Sequence, residues 1–98
     1  MSEYILIKQT LVSGGETAIT SESFDSFDSA YSKALQTQIQ DLKTKGIPHY
    51  TYTKDDAGII WYEYRDGYKV SMRVLAMEGD KELVQNLLTQ SVFDTKTP

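Results

Sequence analysis

The fold of this chain is decided by residues 59–75, which read Ile59-Ile60-Trp61-Tyr62-Glu63-Tyr64-Arg65-Asp66-Gly67-Tyr68-Lys69-Val70-Ser71-Met72-Arg73-Val74-Leu75. An Asp-Gly pair between two runs rich in β-branched and aromatic residues predicts a β-hairpin with a two-residue loop. With Asp66 and Gly67 as that loop, Arg65 lies opposite Tyr68. The loop length then determines the register of both strands.

This register divides the hairpin into two faces of different chemistry, because successive side chains of a strand point to opposite sides. The apolar face is predicted to lie under a helix and carries Ile59, Trp61, Val70, Met72 and Val74. The polar and aromatic face carries Ile60, Tyr62, Tyr64, Lys69, Ser71, Arg73 and Leu75. A four-residue loop at 55–58 adds His49, Thr51 and Thr53 to the polar face, and it turns Tyr50 and Tyr52 inward beside Trp61.

The first part of the chain predicts two strands. Residues 4–12 form the first strand, and the apolar run Ile5-Leu6-Ile7 on both of its sides is typical of an interior strand. The turn 13–16 contains Gly14-Gly15, which suits a tight hairpin. Residues 17–21 are predicted to be a short, weaker return strand.

A long helix follows, from about Asp25 to Lys45, because apolar residues recur with helical spacing. The stripe consists of Phe27, Ala30, Tyr31, Ala34, Leu35, Gln38, Ile39 and Leu42. Asp25 or Ser26 can cap its start, and Gly46 ends it. Strands at 49–53, 59–65 and 68–77 come next, and Asp80 can cap a second helix.

The element order β-(β)-α-β-β-β-α predicts a single α+β domain over residues 1–91, followed by a flexible tail at 92–98. The long helix is expected to pack on one face of a mostly antiparallel sheet of four to five strands. The predicted core is Ile5, Ile7, Phe27, Tyr31, Leu35, Ile39, Leu42, Trp61, Val70, Met72 and Val74.

From the long helix onward, the order α-β-β-β-α resembles that of a double-stranded-RNA-binding domain. A single helix across a curved antiparallel sheet is also similar to a cystatin-like roll. The first resemblance implies a lysine cluster at the start of the last helix, where it would contact phosphates. That position here reads Glu78-Gly79-Asp80-Lys81-Glu82, which is predominantly acidic. Element order alone does not determine function.

Composition excludes several classes of chemistry. The 98 residues contain no cysteine, so disulfides, thiol catalysis and cysteine-ligated metal sites are excluded. The net charge of −4 argues against a generic nucleic-acid binder, although a local basic patch is compatible with it. No apolar run is long enough for a membrane span or a signal-peptide core, so we expect a cytoplasmic protein. A short acidic chain without cysteine is common among bacterial and phage proteins.

No motif predicts catalysis. His49 is the single histidine, and it is interpreted as a partly exposed polar residue at the start of a strand. Gly14-Gly15 lacks the following lysine and helix of a phosphate-binding loop. The acidic pairs are explained as helix caps and turn residues, and their spacing does not fit a calcium loop. The sequence therefore predicts no enzyme, no cofactor and no metal.

The leading hypothesis is a small non-enzymatic protein-interaction module of the adaptor or inhibitor type. Its partner is either another protein of unknown identity or a second copy of the chain, which would make a homodimer. Its predicted protein-binding residues are Tyr62, Tyr64, Lys69, Arg73 and His49, since exposed tyrosines and cations are typical of contact surfaces. One alternative is a nucleic-acid-binding module that uses the same sheet face. A second alternative is an acidic mimic of nucleic acid that inhibits a basic partner.

Overall fold

The computed structural model describes residues 3–12, 17–54, 58–64, 67–78 and 81–89. The elements are β1 (Tyr4–Leu11), β2 (Thr17–Phe24), α1 (Phe27–Lys45), β3 (Tyr50–Lys54), β4 (Ile59–Glu63), β5 (Lys69–Ala76) and α2 (Lys81–Thr89). Together they form one α+β domain, with the predicted element order. The predicted turn 13–16, the cap Asp80 and the tail 92–98 lie outside the described residues.

The five strands form one antiparallel sheet in the order β2-β1-β5-β4-β3. β1 lies between β2 and β5, and Ile5, Leu6 and Ile7 are all buried, as predicted for an interior strand. Leu6 belongs to the core on one face of the sheet, whereas Ile5 and Ile7 belong to the core on the other. Both faces are therefore covered at β1.

α1 connects the two edge strands of the sheet, and it is long enough to cross the strands between them. It joins β2 to β3 across the sheet, and 19 residues at about 1.5 Å per residue span about 28 Å. Of the two predicted caps, Ser26 is the one used: its side-chain oxygen accepts a hydrogen bond from the Ser29 backbone N–H. Gly46 ends the helix with a positive φ of 97°, and its N–H donates to the Leu42 carbonyl.

α1 packs on the sheet through its alanines, and the predicted helix core is corrected accordingly. Ala30 and Ala34 are completely buried, while Leu35, Ile39 and Leu42 are 36, 52 and 37% exposed. The cause is the bulk that the sheet contributes at this interface, including two tyrosines and a methionine. Because interiors are closely packed, small helix residues must face large sheet residues. Phe27 and Tyr31 are partly buried at the margin of this core.

The β4–β5 hairpin has a three-residue loop, one residue longer than predicted. Trp61 pairs with Ser71 and Tyr62 with Val70, so the predicted pairs are shifted by one. The Tyr64 N–H donates to the Tyr68 carbonyl, and the Gly67 N–H donates to the Tyr64 carbonyl. A loop of this length needs a positive φ at its last residue, and Gly67 has a φ of 87°.

This single shift exchanges the two faces of β3 and β4. Tyr62 and Tyr64, predicted to be outward, are 0 and 5% exposed and belong to the core under α1. Trp61, predicted to be under α1, points to the opposite face together with Tyr50 and Tyr52. The β3–β4 pairing itself was predicted correctly, since Tyr52 lies opposite Trp61 across a four-residue loop. The prediction for β5 was also correct: Val70, Met72 and Val74 are buried under α1.

The charge of Glu63 gives a physical reason for the observed register. Glu63 shares a face with Ile59 and Trp61, so the two-residue loop would have placed its carboxylate under α1. Burying an unpaired charge is far costlier than burying a phenol with a hydrogen-bond partner. In the observed register Ile60 and Tyr62 face α1 instead, and Glu63 lies opposite Lys69.

α2 covers part of the other face of the sheet. Val84 is 1% exposed and packs with Ile5 and Ile7 of β1. We call this surface of the sheet the α2 face, and the surface under α1 the α1 face. None of the helices among the described residues is long and apolar enough to cross a membrane.

Candidate functional site

The predicted site residues lie in three different environments. Tyr62 and Tyr64 are buried under α1, so they are not available to a partner. Lys69 and Arg73 lie half-buried on the α2 face, where they are separated from both tyrosines by the sheet. His49 is exposed just before β3, and its backbone N–H donates to the Glu63 carbonyl at 2.7 Å. The predicted five-residue surface is therefore wrong as a single surface.

Beneath α1 lies a polar cluster that the sequence prediction missed. We define the Asp41 cluster as Asp41, Tyr62, Tyr68 and Lys8. The Tyr62 hydroxyl donates to Asp41 Oδ2 at 2.5 Å, and the Tyr68 hydroxyl lies 3.5 Å from the same oxygen. Lys8 Nζ forms an ion pair with that oxygen at 3.8 Å.

This cluster joins the helix to the centre of the sheet. Asp41 comes from α1, Lys8 from β1 and Tyr62 from β4, while Tyr68 directly precedes β5. Lys45 Nζ lies 4.7 Å from the centre of the Tyr68 ring and adds a cation–π contact at the end of α1. A mostly buried carboxylate of this kind is stable only when it is paired and hydrogen-bonded. We interpret the cluster as a structural connection that fixes the position of α1.

Burial raises the pKa of the Tyr62 phenol far above its ordinary value, and the hydrogen bond to Asp41 and the Asp41 charge act in the same direction. The neutral phenol is thus favoured in the folded state. Since the folded pKa lies above the unfolded one, the contribution of Tyr62 to stability is complete below pH 10 and decreases as the pH rises above it.

We predict a pH-dependent difference between the wild type and Tyr62→Phe. The free-energy difference of unfolding between them should be constant at neutral pH and shrink as the pH rises through about 10, where the unfolded tyrosine ionises. Urea denaturation at several pH values between about 7 and 11 measures it. A difference that stays constant over this whole range contradicts the protonated, buried phenol.

Two shallow grooves lie where α1 overhangs β1 and β2. Their volumes are about 360 and 150 Å³, and Lys8, Lys33 and Thr37 line both. Glu22 and Asp41 also contribute to the walls, so the lysine charges are partly balanced by carboxylates. Among the described residues, no group of three or more histidine and acidic side chains could hold a metal ion. The grooves therefore carry no clear preference for an anion or a cation.

An aromatic surface with cations is present on the α2 face, with different aromatic residues from those predicted. We define the Trp61 surface as Tyr50, Tyr52, Trp61, Lys69 and Arg73. Cross-strand pairing places Tyr52 beside Trp61, and the rings of Tyr50 and Trp61 meet edge to face at 5.0 Å. Tyr50 and Tyr52 are 53 and 45% exposed.

The electrostatics of the Trp61 surface follow from the rows of residues across the three strands. One row contains Tyr50, Glu63 and Lys69, and another contains Lys54, Ile59 and Arg73. Among the described residues of these two rows, three cations and one carboxylate flank Tyr50, Tyr52 and Trp61. The described side chains of this part of the sheet therefore carry a positive net charge, although the chain as a whole has a net charge of −4.

The chain was compared with protein-family models, curated proteins and solved structures, and none of them matches it.

Proposed function

We propose that this protein is a small non-enzymatic interaction module that binds a protein partner through the Trp61 surface. The observation that carries the proposal is the row Tyr52-Trp61, flanked by Tyr50 and by two cations, on a part of the sheet where both tyrosines are about half exposed. Aromatic residues and arginine are the side chains that most often dominate binding energy at protein interfaces. The proposal keeps Lys69 and Arg73 from the sequence hypothesis and replaces Tyr62 and Tyr64.

The partner's chemistry follows from that of the surface. A complementary protein surface would present acidic side chains toward Lys69 and Arg73 and an apolar or aromatic group toward Trp61. Such complementarity mainly increases the association rate and the specificity. The proposed cytoplasmic location and bacterial or phage origin rest on composition alone.

Charge reversal on the Trp61 surface tests the proposal. We expect the affinity of K69E/R73E for the captured partner to fall at least about tenfold, because arginine is enriched among hot-spot residues, whose loss costs about 2 kcal/mol or more. The measurement is capture on the immobilised chain from a nuclease-treated lysate of the source cells, followed by mass spectrometry and titration of the captured protein.

The matched control is K33E/K43E. Both double variants change the net charge from −4 to −8, but Lys33 and Lys43 are exposed on α1, away from the Trp61 surface. The control should bind like the wild type. Equal loss in both variants would show a general charge effect, and unchanged capture by K69E/R73E would eliminate the Trp61 surface as the binding site.

The nucleic-acid alternative remains a proposal for the same surface, because aromatic rings beside cations also suit base stacking and phosphate contact. Tyr62 and Tyr64 cannot stack on bases, since both are buried. Trp61 is the single tryptophan of the chain, so its fluorescence reports on this surface directly. Quenching by single-stranded oligonucleotides at about 50 mM salt, weakening as salt increases, would favour this alternative.

The acidic-mimic alternative is supported only by the net charge of −4. Asp55, Asp56, Asp66 and Asp80 lie outside the described residues. The Trp61 surface carries the cations Lys69 and Arg73, so it is not an acidic surface of the kind that a nucleic-acid mimic needs.

A further inference from the structure

The free edge of β3 lies beside the Trp61 surface, to which this strand contributes Tyr50 and Tyr52. Within the described part of the chain, β3 is an edge strand that pairs with β4 alone, so the backbone groups on its other side have no strand partner there. All five of its residues are exposed. Edge strands are commonly protected by proline, a bulge or charged side chains. β3 has neither a proline nor an inward charge, and it carries one lysine at its end.

Exposed apolar residues are concentrated in the segment that leads into this edge. Of the nine large apolar side chains that are exposed among the described residues, six belong to residues 35–52. They are Leu35, Ile39, Leu42, Ile47, Tyr50 and Tyr52. Ile47 has the highest exposure, at 90%, and lies three residues before β3. Of these six, Ile47, Tyr50 and Tyr52 lie within or just before β3, and exposed apolar residues at an open strand edge are typical of an interaction site.

The sequence of β3 is complementary to itself. When two copies of Tyr50-Thr51-Tyr52-Thr53-Lys54 are paired antiparallel and centred on Tyr52, Thr51 of each lies opposite Thr53 of the other. Tyr52 then faces Tyr52, and Tyr50 faces Lys54. Thr–Thr and aromatic–aromatic cross-strand pairs are both stabilising.

The charges in this arrangement are complementary as well. Lys54 of the second copy lies next to the Tyr50 ring, and on the same face Tyr50 is paired with Glu63 of β4. No like charges oppose each other.

We propose that a second copy of this chain pairs with β3, antiparallel and centred on Tyr52, to form a symmetric dimer with a continuous ten-stranded sheet. A two-fold axis normal to the sheet keeps both α1 helices on one side and joins the two Trp61 surfaces on the other. The interface closes on itself, so it forms a dimer rather than a fibre. The dimer uses the backbone edge of β3 and the protein partner uses the Trp61 surface, with Tyr50 and Tyr52 common to both; the cross-linking register tests the dimer, and charge reversal at Lys69 and Arg73 tests the partner site.

Cysteine cross-linking tests the register directly, since the chain has no cysteine of its own. Opposite Cα atoms in an antiparallel pair lie about 4.5–5.5 Å apart, within the range that a disulfide spans. Under mild oxidation Y52C should therefore form a covalent dimer in high yield. T51C should not cross-link to itself, whereas a mixture of T51C and T53C should form the mixed dimer. Equal yields for Y52C and T51C, or a wild type that sediments as a monomer at about 100 μM, would overturn the proposal.

A charge-pair experiment provides a second measurement that does not depend on oxidation. In T51K/T53E each lysine would face a glutamate of the other copy, whereas in T51K/T53K lysines would face lysines twice. We expect the first variant to remain dimeric and the second to be monomeric by analytical ultracentrifugation. The two variants change the same exposed positions, so equal behaviour would contradict this pairing.

Discussion

Replacing Tyr62 with alanine is expected to lower the free energy of unfolding by about 3–5 kcal/mol, the range for removing a buried aromatic ring. Tyr62 is completely buried at the centre of the core under α1, and its ring meets that of Tyr64 edge to face at 5.9 Å. The variant also removes the hydroxyl donor from Asp41. Since domains of this size are commonly stable by about 5–15 kcal/mol, much of the margin would be lost.

Two comparison variants separate the causes. Tyr62→Phe keeps the ring and removes only the hydroxyl, and it should cost about 1–3 kcal/mol because the Asp41 carboxylate loses a hydrogen bond. Trp61→Ala should cost less than Tyr62→Ala, since Trp61 is only partly buried on the α2 face. Urea denaturation measures all three. A greater loss in Trp61→Ala than in Tyr62→Ala would contradict the three-residue loop and support the two-residue register.

Gly58→Ala is expected to destabilise the fold by about 2–4 kcal/mol, because backbone strain and overcrowding add together. Gly58 is buried and has a φ of 62°, in the left-handed region that residues with a Cβ rarely adopt. A Cβ there would lie 2.8 Å from Phe27 Cε2 and 3.0 Å from Val74 Cβ. The backbone cannot simply move away, because the Gly58 carbonyl accepts a hydrogen bond from the Val74 N–H.

A double-mutant cycle with Phe27→Leu distinguishes crowding from strain. The Phe27 ring is packed against Tyr4 and stacked on Tyr31, so it cannot move freely to make room. If crowding contributes, the cost of Gly58→Ala should be smaller in the Phe27→Leu background than in the wild type. Thermal and urea denaturation of the four proteins gives the coupling energy. If the effects of the two substitutions are additive and Gly58→Ala itself costs less than about 1 kcal/mol, Gly58 is not constrained by Phe27.

The order of elements was predictable because each boundary depends on local chemistry. The Ser26 cap and the Gly46 stop define α1, and the apolar run at Ile5-Leu6-Ile7 identifies β1 as an interior strand. The β4–β5 register was not decided by local chemistry. Asp66-Gly67 is compatible with loops of two and three residues, which differ in the residues that need a positive φ. The side chain of Glu63 distinguishes the two registers, because only the three-residue loop keeps its charge out of the core under α1.

The candidate site depended on this register and on contacts distant in sequence. The Asp41 cluster unites residues from positions 8, 41, 62 and 68, and no local pattern brings them together. Asp41 does lie seven residues after Ala34, on the helix side that the alanines share. A search for the most hydrophobic stripe instead selects Leu35, Ile39 and Leu42, which are exposed. Lys69 and Arg73 lie half-buried on the side of β5 away from α1, beside Trp61, Tyr50 and Tyr52 rather than beside Tyr62 and Tyr64.

The pairing of β1 with β5 has a consequence for synthesis on the ribosome. Tyr4 pairs with Ala76, 72 residues later, so the interior strand β1 stays open on one side until nearly the whole domain has been made. At about 5–20 residues per second, this interval lasts about 4–14 s. During it Ile5, Leu6 and Ile7 can pair only with β2, which leaves a hydrophobic strand edge exposed. Until β5 has been made, this open apolar edge is the part of the nascent chain most exposed to aggregation.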